Sequence, residues 1–177
     1  MGGDEAVSAA WQDLAAGGCA VRGVPDPLSG PGGGSEASGE DAAAARPARP
    51  VIAGIGFRHA TGSTEIAALV RDALARAGVA AGRLGALATA DDRAADAALI
   101  EAAGALGVPV IGIAVEALRA AGRRAVTHSA RVASLRGVGS LAEAAALAAV
   151  GPQGRLVLAR IASPGATCAL AETGDPA

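Results

Sequence analysis

The feature that most constrains this 177-residue sequence is a regular alternation, from Val51 onward, of short apolar runs with segments of helical periodicity. The first run, 50–57, reads PVIAGIGF. It contains β-branched residues and lies between a proline and a polar turn, which predicts a buried strand. Residues 64–78 then place apolar side chains on one helical face, and Gly78 ends that helix. The members of this face are Ile66, Leu69, Val70, Ala73 and Leu74.

The alternation continues toward the end of the chain. The pattern predicts strands at 84–90 and 108–115, a helix that follows Asp91 and Asp92 and ends at Gly107, a short helix at 116–120 and a last helix at 140–150. Two further apolar runs, 155–161 and 166–171, flank Ser163, Pro164 and Gly165, an arrangement typical of a hairpin. We therefore expect an α/β fold, a three-layer α/β/α sandwich with a mixed, mostly parallel sheet and a C-terminal hairpin.

The first 49 residues have a different composition from the rest. Residues 1–50 hold 10 of the 26 glycines and 5 of the 9 prolines, and three arginines stand there against seven acidic residues. Such a segment cannot bury enough surface to offset the entropy of ordering it. We predict a mostly disordered low-complexity tail at 1–49 and an α/β domain at 50–177. Residues 7–16 have the pattern of a short helix, but a helix of about ten residues is marginal alone. A start codon assigned too early and a docking tail remain open alternatives.

Composition excludes several classes of function. Trp11 and Phe57 are the only aromatic residues, so a surface that stacks nucleic-acid bases is excluded. The net charge is −2, with no basic excess for a phosphate backbone. Two cysteines, Cys19 and Cys168, are too few for a disulfide framework or a zinc site. We expect no metal, no cofactor and no nucleic-acid partner.

Neither a membrane span nor a signal peptide is predicted. The apolar runs stop well short of the roughly 18–20 residues that cross a bilayer. Asp4 and Glu5 stand where a signal peptide would carry positive charge. We expect a cytoplasmic protein.

In sheets of this kind ligands bind beyond the carboxyl ends of the strands, and four loops qualify. The first follows residues 50–57 and begins with Gly54 and Gly56. His59 occupies the place of the third glycine of a dinucleotide motif, and no acidic residue follows the second strand, so NAD or FAD binding is not favoured. Either Ser63 or Thr64 caps a helix, with Glu65 in its first turn, or Arg58 and the helix amides hold an anion.

The second loop, 89–93, contains Asp91 and Asp92, with Asp96 one turn later. One aspartate can serve as a helix N-cap. The group could also supply acid/base catalysis or hold Mg²⁺.

The third loop runs from Thr127 to Ser140. Ser140 and Glu143 have capping-box spacing. A polar cluster with no evident role in the core consists of Thr127, Ser129 and Arg131. His59 and His128 are predicted to be surface residues. No G-x-S-x-G elbow supports a Ser-His-Asp relay.

The fourth loop, 160–167, contains the hairpin turn. Arg160 lies within an apolar run, so we expect it to face a polar pocket or a sheet edge, and Cys168 is predicted to be buried.

Together these loops resemble a known family. In order over residues 50–172 stand GIGFR with a following Thr-Gly-Ser, then LATADDRAAD, then THSARV and GVGSLAEAAAL, and finally RLVLARIASPGATCALAE. They resemble the cobalamin-biosynthesis family that includes CobE and the C-terminal domain of CbiG, and the ending is more similar to the CobE branch. The sequence departs from many relatives at Phe57, where they have Cys, and at Ala60, where they have Gly. Arg93 and Asp96 stand where Lys and Glu are common, with the charge retained.

The resemblance implies binding of a corrinoid or precorrin intermediate of the aerobic cobalamin (vitamin B12) pathway. In the CbiG branch the domain follows two others that together open a lactone ring. This sequence lacks them, so hydrolase activity is not carried over and catalytic residues stay unassigned. Phe57 and small aliphatic side chains would face the macrocycle, and Arg58, Arg93, Arg131 and Arg160 would pair with its carboxylates. The candidate ligand residues are Gly54, Gly56, Phe57, Arg58, Thr61, Ser63, Thr89, Asp91, Arg93, Asp96, Thr127, Ser129, Arg131, Gly139, Ser140 and Arg160.

Two alternatives stay open. The domain could be a non-catalytic scaffold for the methyltransferases of the pathway, or an unrelated domain that binds small anions.

Overall fold

A computed structural model describes residues 20–22, 49–127 and 139–174. Its centre is a six-stranded sheet with the order β1-β4-β3-β2-β6-β5. The strands are β1 (Ala20–Arg22), β2 (Val51–Phe57), β3 (Leu84–Ala90), β4 (Val110–Ile113), β5 (Arg155–Ala162) and β6 (Ala166–Glu172). Strands β2, β3 and β4 are parallel, whereas β6 runs antiparallel to both β2 and β5.

Four α-helices in the described ranges cover the sheet. They are α1 (Ser63–Arg76), α2 (Ala97–Leu106), α3 (Val115–Gly122) and α4 (Leu141–Ala149), and single 3₁₀ turns precede β3 and follow it. Helices α1 and α2 pack on one face in one apolar cluster, and α3 and α4 pack on the other face in a second cluster. The three-layer α/β/α sandwich with a mixed sheet and a terminal hairpin is thus confirmed.

The predicted element boundaries agree with the structure to within a few residues. Strand β3 has the predicted ends, and the hairpin β5–β6 is antiparallel. Gly107 closes α2 in the left-handed conformation, with φ 70°. The largest difference is at β4, which has four residues where eight were expected, because the flanking residues serve as a turn and as the start of α3.

Small side chains let α4 lie close to the sheet. A Cβ atom added to Gly54 of β2 would lie 1.9 Å from the carbonyl oxygen of Ala142 and 2.6 Å from the backbone nitrogen of Ala146. Five alanines of α4 are buried, together with Leu147. The alanine-rich composition therefore yields a core in which helix backbone contacts strand backbone.

An arginine cluster joins the beginning and the end of the domain at the opposite end of β2. Arg83 donates from Nε and Nη2 to the carbonyl of Arg49, at 3.0 and 2.8 Å, and contacts Glu172 Oε2 at 3.1 Å. Arg155 forms a second ion pair with Glu172, and Arg49 Nη1 donates to the carbonyl of Thr173 at 3.2 Å. Arg49 is therefore hydrogen-bonded to both Arg83 and Thr173.

Within residues 1–48 the structure describes only β1, which pairs antiparallel with β4 through three register pairs. The predicted helix at 7–16 lies outside the described residues. The division of the chain at 49–50 stays a prediction.

Candidate functional site

The candidate site lies at the edge of the sheet where β2 ends. The parallel strands β2, β3 and β4 end there, and β6 begins there, since Phe57 is paired with Ala166. Helix α1 starts at this edge on one face, and α4 starts there on the other, with Leu141 close to Gly56. Two helix N-termini and the loops that follow the strands therefore share one end of the molecule. We call this end the carboxyl edge.

The loop after β2 is fixed to the hairpin turn of β5–β6. The amide of Arg58 donates to the carbonyl of Gly165 at 2.9 Å and contacts Thr61 Oγ1 at 3.2 Å. The Thr61 hydroxyl donates to the same carbonyl at 2.8 Å. Thr61 is 5% exposed, so the hydroxyl is committed to this contact. The first and fourth predicted loops are thus one structural unit.

Glu65, in the first turn of α1, holds the hairpin turn through its carboxylate. Its Oε1 accepts hydrogen bonds from Ser163 Oγ at 2.5 Å and from the amide of Gly165 at 2.8 Å. The Ser163 hydroxyl and then the Gly165 amide lower the pKa of Glu65 below its ordinary value of 4.5. Hydrogen bonds to the charged form of a carboxylate have this effect. Sequence reasoning assigned Glu65 only to the helix dipole and missed this contact.

The cap of α1 differs from the prediction. Gly62 is the N-cap, with φ −76°, and no side chain caps the helix. The prediction of Ser63 or Thr64 was wrong because the chain enters the helix one residue earlier. Ser63 is half-buried as the first helical residue. The first amides of α1 consequently have no side-chain acceptor.

The Arg58 side chain is exposed and has no hydrogen bond or ion pair with any residue that the structure describes. Its backbone, in contrast, is held by the hairpin turn. Arg58 therefore combines an available guanidinium with a fixed Cα position. His59 next to it is exposed as predicted.

Arg93 stacks on Phe57 and joins the loops after β2 and β3. Its guanidinium carbon lies 4.3 Å from the centroid of the ring, a distance typical of a cation–π contact. Arg93 Nη2 pairs with Asp96 Oδ2 at 3.3 Å. The Nε atom is buried and has no hydrogen-bond partner within the described ranges. Arg93 thus carries one uncommitted donor at the carboxyl edge.

The aspartate that caps α2 is Asp96. Its Oδ1 accepts a hydrogen bond from the amide of Ala98 at 3.1 Å. The expected cap at Asp91 or Asp92 was wrong because these two residues form a separate 3₁₀ turn before the helix. Asp91 Oδ1 lies over β4, 2.5 Å from where a Cβ atom of Gly112 would stand.

Three other candidate residues serve packing in this structure. Thr89 is fully buried and donates to the carbonyl of Ile55 at 2.9 Å. Gly54 accommodates α4, as described above. A Cβ atom at Gly56 would lie 2.7 Å from Thr167 Oγ1, whose hydroxyl donates to the Gly56 carbonyl at 3.2 Å. The side chains of these positions are absent or turned inward, so any contact with a ligand would be indirect.

The third loop is described at its two ends only. Gly139 and Ser140 are buried, and Ser140 Oγ accepts a hydrogen bond from the Glu143 amide at 3.4 Å. Ser140 therefore caps α4 as predicted. The predicted return contact from Glu143 to Ser140 is replaced by contacts with other segments. His128, Ser129 and Arg131 lie outside the described residues.

The Glu143 carboxylate is fully buried and accepts four hydrogen bonds from the residues that the structure describes. Oε2 accepts from the amides of Val126 and Thr127 at 2.7 and 2.9 Å. Oε1 accepts from Thr127 Oγ1 at 2.8 Å and from the amide of Arg160 at 2.9 Å. Burial alone would raise the pKa of Glu143, but these hydrogen bonds outweigh it and the pKa lies below its ordinary value. A capping-box pattern gave no signal for this role.

Cys168 is not a reactive thiol in this structure. Cys168 is fully buried, and burial followed by the nearby Asp72 raises its thiol pKa to about 12, so the thiol stays protonated and unreactive. The described residues contain no group of three or more His, Cys, Asp or Glu side chains suited to a metal ion. In the same ranges, no helix has both the length and the apolar character to cross a membrane.

The fold and the carboxyl edge define a class of protein, an α/β/α domain with a mixed sheet and candidate ligand loops at the end of its central strand. The family model described as "Cobalamin synthesis G C-terminus" matches residues 51–171, and the chain belongs to this family. The resemblance inferred from the sequence is thereby confirmed. A search of the curated proteins found no match.

Solved structures agree with this assignment. CobE, described as a protein from the cobalamin (vitamin B12) biosynthetic pathway, is 32% identical with a TM-score of 0.66, and the match covers 70% of this chain and 90% of CobE. The cobalamin biosynthesis protein chiG from Agrobacterium tumefaciens is 40% identical with a TM-score of 0.56, over 71% of this chain and 99% of that one. A putative cobalamin biosynthesis protein G homolog from Sulfolobus solfataricus, 24% identical, shares the fold with a TM-score of 0.55 over 70% of this chain and 37% of its own.

Proposed function

We propose that this domain binds a corrinoid or precorrin intermediate of the aerobic cobalamin pathway at the carboxyl edge, in the cytoplasm, with Arg58 as the first carboxylate contact. The observation that carries the proposal is the exposed Arg58 guanidinium, which has no partner among the described residues. Its backbone is fixed to Gly165. A fixed loop with an available cation loses little entropy when it binds an anion.

The chemistry of the ligand class fits the groups at this edge. Corrin intermediates are flat apolar macrocycles edged with acidic side chains. Half-buried Phe57, with Arg93 stacked on it, offers an apolar surface beside positive charge. The uncapped amides of α1 also favour an anion. Membership of the cobalamin family supports this ligand over an unrelated small anion.

The test is the variant Arg58→Ala. We expect it to keep the fold, because an exposed side chain without partners contributes little to stability. Binding should weaken by about 1.5–3 kcal/mol, the usual range for a charged hydrogen bond, which is roughly tenfold to more than a hundredfold in Kd. Arg58→Lys should recover only part of the loss, since an ammonium cannot reproduce the planar fork of a guanidinium. The measurement is an absorbance titration with dicyanocobyrinic acid, a corrin with free carboxylates.

The matched control is Arg76→Ala. Arg76 lies in the last turn of α1, far from the carboxyl edge, and among the described residues its ion-pair partner is Asp72 on the surface. Arg83 is unsuitable as a control because it holds Arg49 and Glu172. Unchanged binding in Arg58→Ala would contradict the proposed site, and absence of binding by the unaltered protein would contradict the proposed function.

A further inference from the structure

Among the described residues, Glu143 is the acid whose carboxylate accepts the most hydrogen bonds. It is 0% exposed, and its four donors in the described ranges are all neutral groups. A buried carboxylate without a cationic partner is costly to maintain. The rest of α4 is made of alanine and leucine, and a similar apolar residue at position 143 would avoid that cost. We therefore infer a specific structural or functional role for this carboxylate.

Its contacts show what that role is. The four donors come from two segments that are distant in sequence. Val126 and Thr127 follow α3, whereas Arg160 lies in β5. Thr127 and Arg160, both candidate ligand residues, are brought to the same oxygen atom, Oε1, at 2.8 and 2.9 Å. Glu143 is thus the common anchor of both.

The Arg160 amide is available to Glu143 because β5 is bulged there. Leu158 is paired with Leu170, and Ile161 is paired with Cys168. Three residue steps on β5 therefore correspond to two on β6. A bulge leaves one residue without its ladder partner and redirects its side chain. The Glu143 carboxylate accepts from the Arg160 amide within this irregular stretch of β5.

The Arg160 side chain is half-buried and has no hydrogen bond or ion pair with the described residues. Register places it near the carboxyl edge, because Cys168 is paired with both Ile161 and Ile55. Strand β5 lies two strands from β2, which is about 10 Å across the sheet. Arg160 and Arg58 can therefore contact different carboxylates of one broad ligand.

We propose that Glu143 is a positioning residue that holds the bulge at Arg160, so that the Arg160 guanidinium forms a second carboxylate-binding point on the α4 side of the sheet. The proposal rests on the proposed function, since it requires a ligand with several carboxylates at the carboxyl edge. It adds that the ligand is recognised at two separated acidic groups.

The substitution Glu143→Gln isolates this role. Glutamine has nearly the same volume but replaces one acceptor oxygen by an NH₂ donor. With NH₂ in the place of Oε2, the amides of Val126 and Thr127 lose their acceptor. With NH₂ in the place of Oε1, the Thr127 hydroxyl can rotate but the Arg160 amide faces another donor. Because the second orientation loses fewer contacts, we expect the Arg160 contact to be lost.

The experiment is a double-mutant cycle with Glu143→Gln, Arg160→Ala and the pair, titrated with dicyanocobyrinic acid. Arg160→Ala should weaken binding roughly tenfold to a hundredfold. Glu143→Gln should weaken it about tenfold, within the range for coupled neighbours. The double variant should bind no more weakly than Arg160→Ala alone. With the heptamethyl ester of the same corrin, which lacks free carboxylates, none of these changes should alter the affinity.

The matched control is Glu172→Gln. Glu172 is also a buried glutamate of this sheet, but it is paired with Arg83 and Arg155 at the opposite end of β2. We expect it to lower the melting temperature without changing the affinity. A loss of affinity that follows the melting temperature in both Gln variants would overturn the positioning role.

Other outcomes are also decisive. Additive losses in the double variant would mean that Glu143 does not act through Arg160. If Glu143→Gln does not fold, Arg160→Ala still tests the second binding point, because its exposed edge strand tolerates truncation, and unchanged affinity in that variant would overturn the proposal. A loss in Arg58→Ala without one in Arg160→Ala would leave the proposed function intact and refute this inference alone.

Discussion

Single residues at the carboxyl edge separate into those that pack and those that are free to bind. Gly54 shows the first kind most clearly, since helix backbone occupies the place of a side chain. Arg58 shows the second kind. The two residues are four positions apart on one strand and its loop, which illustrates how little the sequence position alone reveals about the role.

Gly54→Ala should destabilise the protein strongly. A methyl group 1.9 Å from the Ala142 carbonyl cannot be accommodated without moving α4, and overpacking of this kind costs about 1–3 kcal/mol. Gly104→Ala is the matched change, because Gly104 lies in α2 with no atom within 4 Å of the added Cβ. It should stabilise the protein by about 0.5–1 kcal/mol. Urea denaturation of both variants measures the two effects, and equal effects would contradict the close approach of α4.

Residue-level prediction from the sequence succeeded where the cause was local. Gly107 ends α2 and Ser140 caps α4, because both roles depend on a few neighbouring positions. Glu65 and Glu143 were missed because their partners are remote. The Ser163 hydroxyl that Glu65 binds is 98 positions away, and only the assembled topology brings the two together.

At the scale of elements, two sets of contacts hold the hairpin β5–β6 in place. Strand β6 is paired with β2, and the hairpin turn is hydrogen-bonded to Glu65 of α1. The clamp uses a surface carboxylate whose pKa is lowered by the Ser163 hydroxyl and the Gly165 amide. A lowered pKa in the folded state means that the ionised form stabilises the fold. This contribution is complete above the ordinary value of 4.5 and is lost as the pH falls through the folded value.

Glu65→Gln should therefore reduce stability at neutral pH and have a smaller effect in acid. Both donors contact Oε1, so the amide oxygen of glutamine can retain the geometry while the charge is removed. The measurement is the free energy of unfolding of both proteins over a pH series from neutral to below 4.5. Glu101→Gln, on the exposed side of α2, controls for net charge. A constant difference across the series would rule out the ionised clamp.

Element-level prediction was accurate because strand and helix periodicities are set by burial on one or two faces. Leu84–Ala90 was predicted with its final bounds, since both faces of this strand are covered. The sequence could not show the bulges of β5. A bulge alters the pairing of a strand without altering its apolar pattern.

At the scale of the whole molecule, the domain is closed by contacts between its first and last residues. Arg83 links the Arg49 carbonyl to Glu172, and Arg49 itself reaches the carbonyl of Thr173. The composition change placed the boundary between 49 and 50. The hydrogen bonds of Arg49 link the residue just before that boundary to the domain, a contact that a change of composition cannot reveal.

A chain shortened to begin at Arg49 loses the three register pairs of the edge strand β1 with β4, so it should be nearly as stable as the full chain, whereas one that begins at Val51 should be less stable. The chain that begins at Val51 lacks the Arg49 carbonyl, which accepts two hydrogen bonds from Arg83. A hydrogen bond to a charged group contributes about 1.5–3 kcal/mol to stability. Thermal melts of the three chains measure the difference. Equal stability of both shortened chains would refute the closing role of Arg49. If the full chain melts at a much higher temperature than the chain that begins at Arg49, the tail, including β1, stabilises the domain.

The two bulges of β5 also bear on how copies of this protein behave beside one another. β5 is an outermost strand, and exposed strand edges are templates on which identical chains pair and aggregate. Two irregularities within eight residues break the even spacing of amides and carbonyls that such pairing requires, and Glu143 already occupies the Arg160 amide. The same distortion thus disfavours the open-ended growth of sheets from molecule to molecule, a useful property for a chain so rich in alanine and so poor in charge.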